Sequence, residues 1–335
     1  MQFKSSSPFS TTCPVRVGLV GTGYAAKLRA ETLQADARAA VVAVVGHTPE
    51  KTNAFAEAHQ AEAVASWQRL LERSDLDLVI VSTINRDHGA IVRGALETGK
   101  HVVVEYPLCL DAREGEGLIA LAQAQGKLLH VEHIELLGGL HQALRSELPA
   151  IGKGFYARYS TINPQRPAPR RWTYQPDLFG FPLSGALSRL HRLTNLFGSV
   201  AKISCQTRFW GGDSEFYKAC LCTAQLSFNS GLLAEVIYGK GEALWQNERK
   251  FEVYGEQGGL IFDGDRGVLV QAEGTTPIEV GSRQGLFAKD TAMVLDHLFA
   301  GTPLYVTPVA SLYTLKVADA ARHSAQTGQT VALED

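Results

Sequence analysis

The sequence predicts an α/β protein in two parts: a doubly wound, mostly parallel sheet, then an α+β domain built on a large, mostly antiparallel sheet with one face covered. Three observations carry this. The apolar run VRVGLV at residues 15–20 is followed by a glycine turn and then by helical spacing. Strand-like and helix-like segments keep alternating to about residue 130. From Phe155 onward the pattern changes to alternating strands divided by Gly, Asn and Asp turns.

In the opening unit Val15, Val17, Leu19 and Val20 read as a buried strand, and the helix after the turn carries Ala25, Ala26, Ala30 and Leu33 on one side. Gly21 and Gly23 let the backbone turn tightly beside a ligand, and Ala26 stands where a dinucleotide-binding fingerprint needs a small residue for close helix–strand packing. A pyrophosphate would rest on the first amides of that helix, so Gly21, Thr22, Gly23, Tyr24 and Ala25 are expected to hold the dinucleotide.

Ala40 to Val45 gives a second buried strand and Pro49 to His59 a helix, with Pro49 and Glu50 in the first turn, where helices favour them. The end of that strand usually carries an acid for the ribose 2′-hydroxyl of NAD. Here it reads Gly46-His47-Thr48 with Lys51 one turn on, so nothing repels a 2′-phosphate. NADP(H) is therefore favoured, with NAD(H) as the alternative.

Leu76 to Val81 is the next strand, and the polar residues after it lead into a helix through Asp87, His88 and Ile91. Open α/β sheets bind ligands at such carboxyl ends, which places Thr83, Ile84, Asn85 and His88 near the cofactor. His101 to Glu105 is a strand that runs into Tyr106-Pro107, where the proline ends the ladder. A helix from Ala112 to Gln125 and a strand from Leu128 to Val131, ending in Glu132-His133, complete the first domain, taken as residues 1–130 with 1–13 as a flexible tail. The second domain is 131–335, with a helix from Pro182 to Phe197 and two late helices near Lys289–Phe299 and Ser311–Gln326.

Bulk properties narrow the function. The 335 residues suffice for two cores, and 45% hydrophobic content with a formal net charge of -2 argues against a nucleic-acid partner. Five cysteines without a C-x-x-C pair argue against a disulfide framework and against a metal site, and favour a reducing, cytoplasmic setting. No apolar run reaches membrane-spanning length, and the first dozen residues lack a signal-peptide core.

Gly21-x-Gly23-x-x-Ala26, the T-x-N-x-x-H of Thr83 to His88, GKHVVVEYP at 99–107 and the helix ending Leu196-Phe197-Gly198 together resemble the glucose-fructose oxidoreductase and inositol dehydrogenase family across nearly the whole chain. The resemblance implies a Rossmann domain followed by an α+β domain whose open sheet often forms dimers, so a monomer or a homodimer through that sheet is expected. Two departures stand out. The family's Glu-Lys-Pro is Glu105-Tyr106-Pro107 here, and its Asp and catalytic His in the second domain align with Ser188 and Arg192. An alcohol dehydrogenase needs a base near neutrality, and both usual candidates are missing.

The biliverdin-reductase branch of that family shows the same departures. The chain resembles it in Glu105-Tyr106-Pro107, in VEHIELL at 131–137, in Phe179-Gly180-Phe181-Pro182 and in Ser188-Arg189-Leu190, with the cyanobacterial members nearest. This resemblance implies hydride transfer from the nicotinamide to the central methine carbon of a linear tetrapyrrole, with biliverdin as the small-molecule substrate, while a pyrrole nitrogen gains a proton. Arg189 is the implied catalytic residue, in an electrostatic role, because an arginine keeps its proton to above about pH 12. Arg192 lies one turn further along, and Tyr106 replaces the lysine beside the nicotinamide. Glu105 and Glu132 are expected to hold the carboxamide and His133 to contact the substrate. Of the cations suited to the two propionates, Arg171 and Lys240 fall in family-like strings, unlike Arg166 and Arg170. A sugar or polyol dehydrogenase and a non-catalytic nucleotide-binding sensor are the competing readings.

Overall fold

The computed structural model describes residues 14–213 and 215–333; the expected tail at 1–13 lies outside them. The chain divides into two units, one of 1–134 with 285–312, the other of 135–284 with 313–335.

In the first unit the five expected strands stand in order, with one short strand, β3, that the sequence reading did not include: β1 (Val15–Val20), β2 (Ala39–Val45), β3 (Glu62–Ala63), β4 (Leu78–Val81), β5 (His101–Glu105) and β6 (Leu129–Glu132). They pair in parallel in the order β3-β2-β1-β4-β5-β6. β1, β4 and β5 are almost wholly buried because helices cover both faces, which is why they read as continuous branched apolar runs. Strand order reverses between β1 and β4, and the carboxyl ends of those strands frame the crevice in which such sheets bind ligands.

The expected boundary at 130 needs one correction. The segment Gly285–Leu312 belongs with the first unit, although eight of the nine strands of the second unit's sheet precede it in sequence. Val294, Leu295 and Leu298 of the helix Leu286–Ala300 join Val15, Val17, Leu19, Ala30 and Leu33 in one apolar core. Burial of that stripe, invisible to local periodicity, decides where the segment goes.

The second unit carries β7 (Gly154–Pro164), β8 (Val200–Trp210), β9 (Ala219–Phe228), β10 (Leu233–Gly241), β11 (Glu248–Gly255), β12 (Gly258–Asp263), β13 (Arg266–Gln271), β14 (Gly274–Ile278) and β15 (Val331–Ala332). The open sheet runs β14-β13-β12-β11-β7-β10-β9-β8-β15, and every pair is antiparallel except β7 with β10. β9 and β10 alternate: Cys220, Cys222, Ala224 and Leu226 point inward, as do Ala234, Val236, Tyr238 and Lys240.

The expected helix over Pro182–Phe197 is broken. One turn spans Pro182–Gly185, the chain leaves helical geometry at Ala186, and a second helix runs Ser188–Phe197. A side chain at Gly185 would come within 2.5 Å of the Phe179 ring, so the first turn is pressed against that ring. Among the described residues no helix is long and apolar enough to cross a membrane.

Candidate functional site

The glycine turn after β1 has the geometry that a dinucleotide requires. Gly21 sits at φ +126° with its N–H donating to Val45 O at 2.8 Å, and a side chain there would strike Ser82 O at 2.1 Å. Gly23 caps the helix Tyr24–Gln34 without any side-chain bond to the first amides, and a side chain added there would meet nothing within 4 Å. An open glycine in front of uncapped amides is the form of an anion cradle. Thr22 packs on Gly46, Tyr24 is exposed, and Ala25 is half-buried in the first turn of the helix. These residues fit a dinucleotide.

After β2, Thr52 Oγ1 accepts from Gly46 N at 3.0 Å and donates to Thr48 O at 2.8 Å. This fixes the loop while leaving His47 and Lys51 exposed, with no carboxylate on it before Glu50. At the end of β4, Asn85 is buried, and Thr83 and Ile84 are partly so. His88 is a brace: Nδ1 lies 2.7 Å from Pro107 O and Nε2 3.3 Å from Thr83 O, and burial pushes its pKa down. It ties the ends of β4 and β5 together.

A buried polar chain stands behind the cofactor-side strand ends. Glu105 Oε1 accepts from Arg29 Nε at 2.7 Å and from Ser82 Oγ at 3.4 Å. Arg29 is fully buried, and its Nη1 donates to Asp290 Oδ2 at 2.7 Å and to Thr291 Oγ1 at 3.1 Å. Asp290 Oδ1 in turn meets His130 Nε2 and Tyr305 OH, each at 2.8 Å. Burial works against the Asp290 charge, but Arg29 and His130 hold its carboxyl well below the usual range. The chain ends at the backbone N–H of His133, which donates to Tyr305 OH at 3.0 Å.

His133 also meets Ser311 Oγ at 2.8 Å through Nε2, and its ring stacks on Tyr106, with centroids 5.3 Å apart and planes 7° from parallel. Glu132 is buried and accepts from Ile134 N at 2.5 Å. The first unit thus gathers Glu105, Tyr106, Glu132 and His133 at the ends of β5 and β6.

The second unit holds the cations. Arg189 donates through Nε to Thr161 Oγ1 at 3.2 Å and through Nη1 to Ser188 Oγ at 2.9 Å, with its guanidinium 5.4 Å from the centre of the Tyr238 ring. Arg192 is only 6% exposed, and its Nε and Nη1 have no hydrogen-bond partner among the described residues. Lys240 is enclosed: its amine donates to Thr173 O and sits 3.9 Å from the centre of the Phe179 ring and 4.7 Å from that of Tyr174, and burial pushes its pKa down to about 8. Arg171 is exposed and bonds to Thr173 Oγ1 at 3.1 Å and Gln165 Oε1 at 3.4 Å.

The reading from residues missed Arg29, Asp290 and Tyr305. A signal for the first was present: Arg29 shares helical spacing with Ala26, Ala30 and Leu33, so a charge stands on the buried stripe. Asp290 and Thr291 stand on the stripe of Val294, Leu295 and Leu298 in the same way.

Comparison with known proteins agrees with this geometry. Residues 15–133 match the model described as "Oxidoreductase family, NAD-binding Rossmann fold", and residues 149–333 match "Oxidoreductase family, C-terminal alpha/beta domain". The chain is 54% identical to the crystal structure of biliverdin reductase from Synechocystis sp. PCC 6803 in complex with biliverdin and NADP+, over 93% of this chain and 99% of that one, with a TM-score of 0.92. It is 31% identical over 193 residues to biliverdin reductase A of Mus musculus, covering 56% of this chain and 60% of the mouse protein. It is 38% identical over 136 residues to dTDP-3,4-didehydro-2,6-dideoxy-alpha-D-glucose 3-reductase of Saccharopolyspora spinosa, covering 40% of this chain and 41% of that one.

Proposed function

Because the chain belongs to the oxidoreductase family that joins an NAD-binding Rossmann fold to a C-terminal alpha/beta domain, we propose that it reduces biliverdin to bilirubin with NADPH. The observation that carries this reading is the 54% identity, over 93% of this chain, with a biliverdin reductase whose crystal structure holds both biliverdin and NADP+.

Gly21, Thr22, Gly23, Tyr24 and Ala25 cradle the pyrophosphate, while His47, Thr48 and Lys51 leave room for a 2′-phosphate. Glu105, held by Arg29 through Oε1, has Oε2 without a bond among the described residues and offers it to the carboxamide. Reduced nicotinamide supplies the hydride for the central methine carbon. The remaining demand is a proton for a pyrrole nitrogen and stabilisation of charge on the conjugated ligand, and neither calls for a strong base.

That demand matches the residues. Tyr106, backed by the His133 ring, offers a flat aromatic face to a pyrrole. Arg189 is a permanent cation held by Thr161 and Ser188, and it assists protonation by stabilising negative charge rather than by giving up its own proton. By the family resemblance Arg192, on the helix Ser188–Phe197, aligns with the catalytic histidine of the sugar dehydrogenases, which leaves the position without a base for an alcohol.

Mixing the protein with NADPH and biliverdin tests the reading: the blue-green absorption should give way to yellow with stoichiometric NADPH oxidation. Oxidation of sugars in place of biliverdin reduction would return the chain to the chemistry of its parent family. Nucleotide binding without turnover of either substrate would make it a sensor.

A further inference from the structure

Asp290 stands far along the chain from the strand ends that face the cofactor, yet it shares one guanidinium with Glu105. Arg29, which carries that guanidinium, is fully buried. Its Nη1 is pinned twice, by Asp290 Oδ2 at 2.7 Å and by Thr291 Oγ1 at 3.1 Å. Asp290 is fixed in turn, because its Oδ1 meets His130 Nε2 and Tyr305 OH, each at 2.8 Å. The ring of Phe287, near the start of the same helix, stands 5.4 Å from the Arg29 Cζ and closes that side of the group.

The contact with Glu105 is one-armed. An arginine and a carboxylate frequently form two parallel bonds, one nitrogen to each oxygen. Here Nε alone bonds, to Oε1, while the buried Nη2 has no hydrogen-bond partner among the described residues. Oε1 also accepts from Ser82 Oγ at 3.4 Å, and Oε2 takes no bond among those residues. A guanidinium N–H and a carboxylate oxygen left unbonded in one ion pair are unfavourable, so the surroundings must hold them apart. Glu105 is also the outer end of the network: its side chain is 15% exposed, against 0% for Arg29 and for Asp290.

We infer that Asp290 is a positioning residue for the nicotinamide: with Thr291 it sets the plane of the Arg29 guanidinium, so that Glu105 is held by one oxygen and its other oxygen accepts from the carboxamide N–H of the cofactor. This rests on the cofactor reading above and deepens it, by giving the helix Leu286–Ala300 a part in nucleotide recognition. The guanidinium is planar, so fixing Nε and Nη1 fixes Nη2 as well. Without the Asp290 charge the whole attraction of the cation falls on Glu105, and the fork closes on both of its oxygens. The nucleotide then keeps its contacts at the glycine turn and loses the bond at its nicotinamide end.

The test uses three nucleotides that share an adenosine end and differ at the ring: NADPH, its 3-acetylpyridine analogue, which carries a methyl group in place of the carboxamide NH2, and 2′,5′-ADP, which has no nicotinamide. Binding is read by calorimetric titration without biliverdin. The wild type should bind NADPH at least about tenfold more tightly than the analogue. Asp290→Asn, which keeps the shape of the side chain and removes its charge, should bring that ratio below about threefold and leave the affinity for 2′,5′-ADP within about twofold. Thr291→Val removes one of the two bonds on Nη1 while sparing the ion pair, and should lower the ratio by about twofold to threefold. The inference is overturned if the wild type does not distinguish NADPH from the analogue, if Asp290→Asn keeps the full ratio, or if all three nucleotides weaken together, which is the mark of a structural role. Should Asp290→Asn fail to fold, Thr291→Val decides, and an unchanged ratio there overturns the inference. A wild type that binds no NADPH removes the inference together with the cofactor reading; one that binds NADPH without reducing biliverdin loses only the proposed reaction, and the ratios still decide.

Discussion

Arg29 Nε and Glu105 Oε1 are 2.7 Å apart, although 76 residues separate them, and the Arg29 side chain has no exposure to solvent. The other end of the same guanidinium holds Asp290, 261 residues away, at 2.7 Å. One cation therefore joins a strand end of the nucleotide-binding sheet to a helix that returns to it late in the chain. A buried ion pair of this kind does little for net stability compared with an apolar replacement, but removing a single partner strands the other charge.

Asp290→Asn should accordingly lower unfolding stability by about 3–5 kcal/mol near neutral pH, measured by urea unfolding. The sign of the pH dependence follows from the Asp290 carboxyl being held below its ordinary value. A depressed acid contributes stability in full above the unfolded pKa of about 4 and loses it progressively as pH falls from there toward the lower folded value. The difference between wild type and Asp290→Asn should thus shrink from pH 6 toward pH 3. A constant difference over that window would show that the Asp290 charge contributes nothing through this linkage.

Nucleotide choice should lie with two exposed residues after β2. Thr52 holds Gly46 and Thr48 in place, so changes at His47 and Lys51 leave that loop standing. His47→Asp combined with Lys51→Glu places carboxylates where a 2′-phosphate would sit, and KM for NADPH should rise by about tenfold or more while KM for NADH holds or falls. Parallel changes for both nucleotides would place the 2′-phosphate elsewhere.

Arg189→Ala should cut biliverdin turnover by at least about tenfold, equivalent to roughly 1.4 kcal/mol of transition-state stabilisation, with NADPH affinity nearly intact. The bonds to Thr161 and Ser188 lie within the second unit, so their loss does not touch the glycine turn. Equal loss of turnover and nucleotide affinity would make Arg189 a structural residue.

How far the sequence could be read depended on the range of the forces. The glycine turn, the β1 and β5 runs and the alternation in β9 are set by neighbours a few residues away, and each stands where its pattern put it. The break after Gly185 was not legible, because it arises from the Phe179 ring lying against that glycine. Arg29 with Asp290 is a pairing made by the fold across a long separation, and either partner alone looks like an ordinary charge on a helix.

Lys240 allows a last prediction, because its cost has a sign that can be measured. Burial holds its pKa down at about 8, against an ordinary value of 10.5, and the Phe179 and Tyr174 rings together with Thr173 O offset only part of that penalty. A lysine whose folded pKa is depressed binds fewer protons folded than unfolded between those two values, so its penalty applies below pH 8 and is relieved above it. Lys240→Met removes the titration while filling the same space with an apolar chain. The stability of the wild type relative to Lys240→Met should therefore climb between pH 7.5 and pH 9.5, read by urea unfolding at each pH. A flat difference would mean that water reaches the amine, and a falling one that the rings and carbonyl stabilise the charge more than burial opposes it.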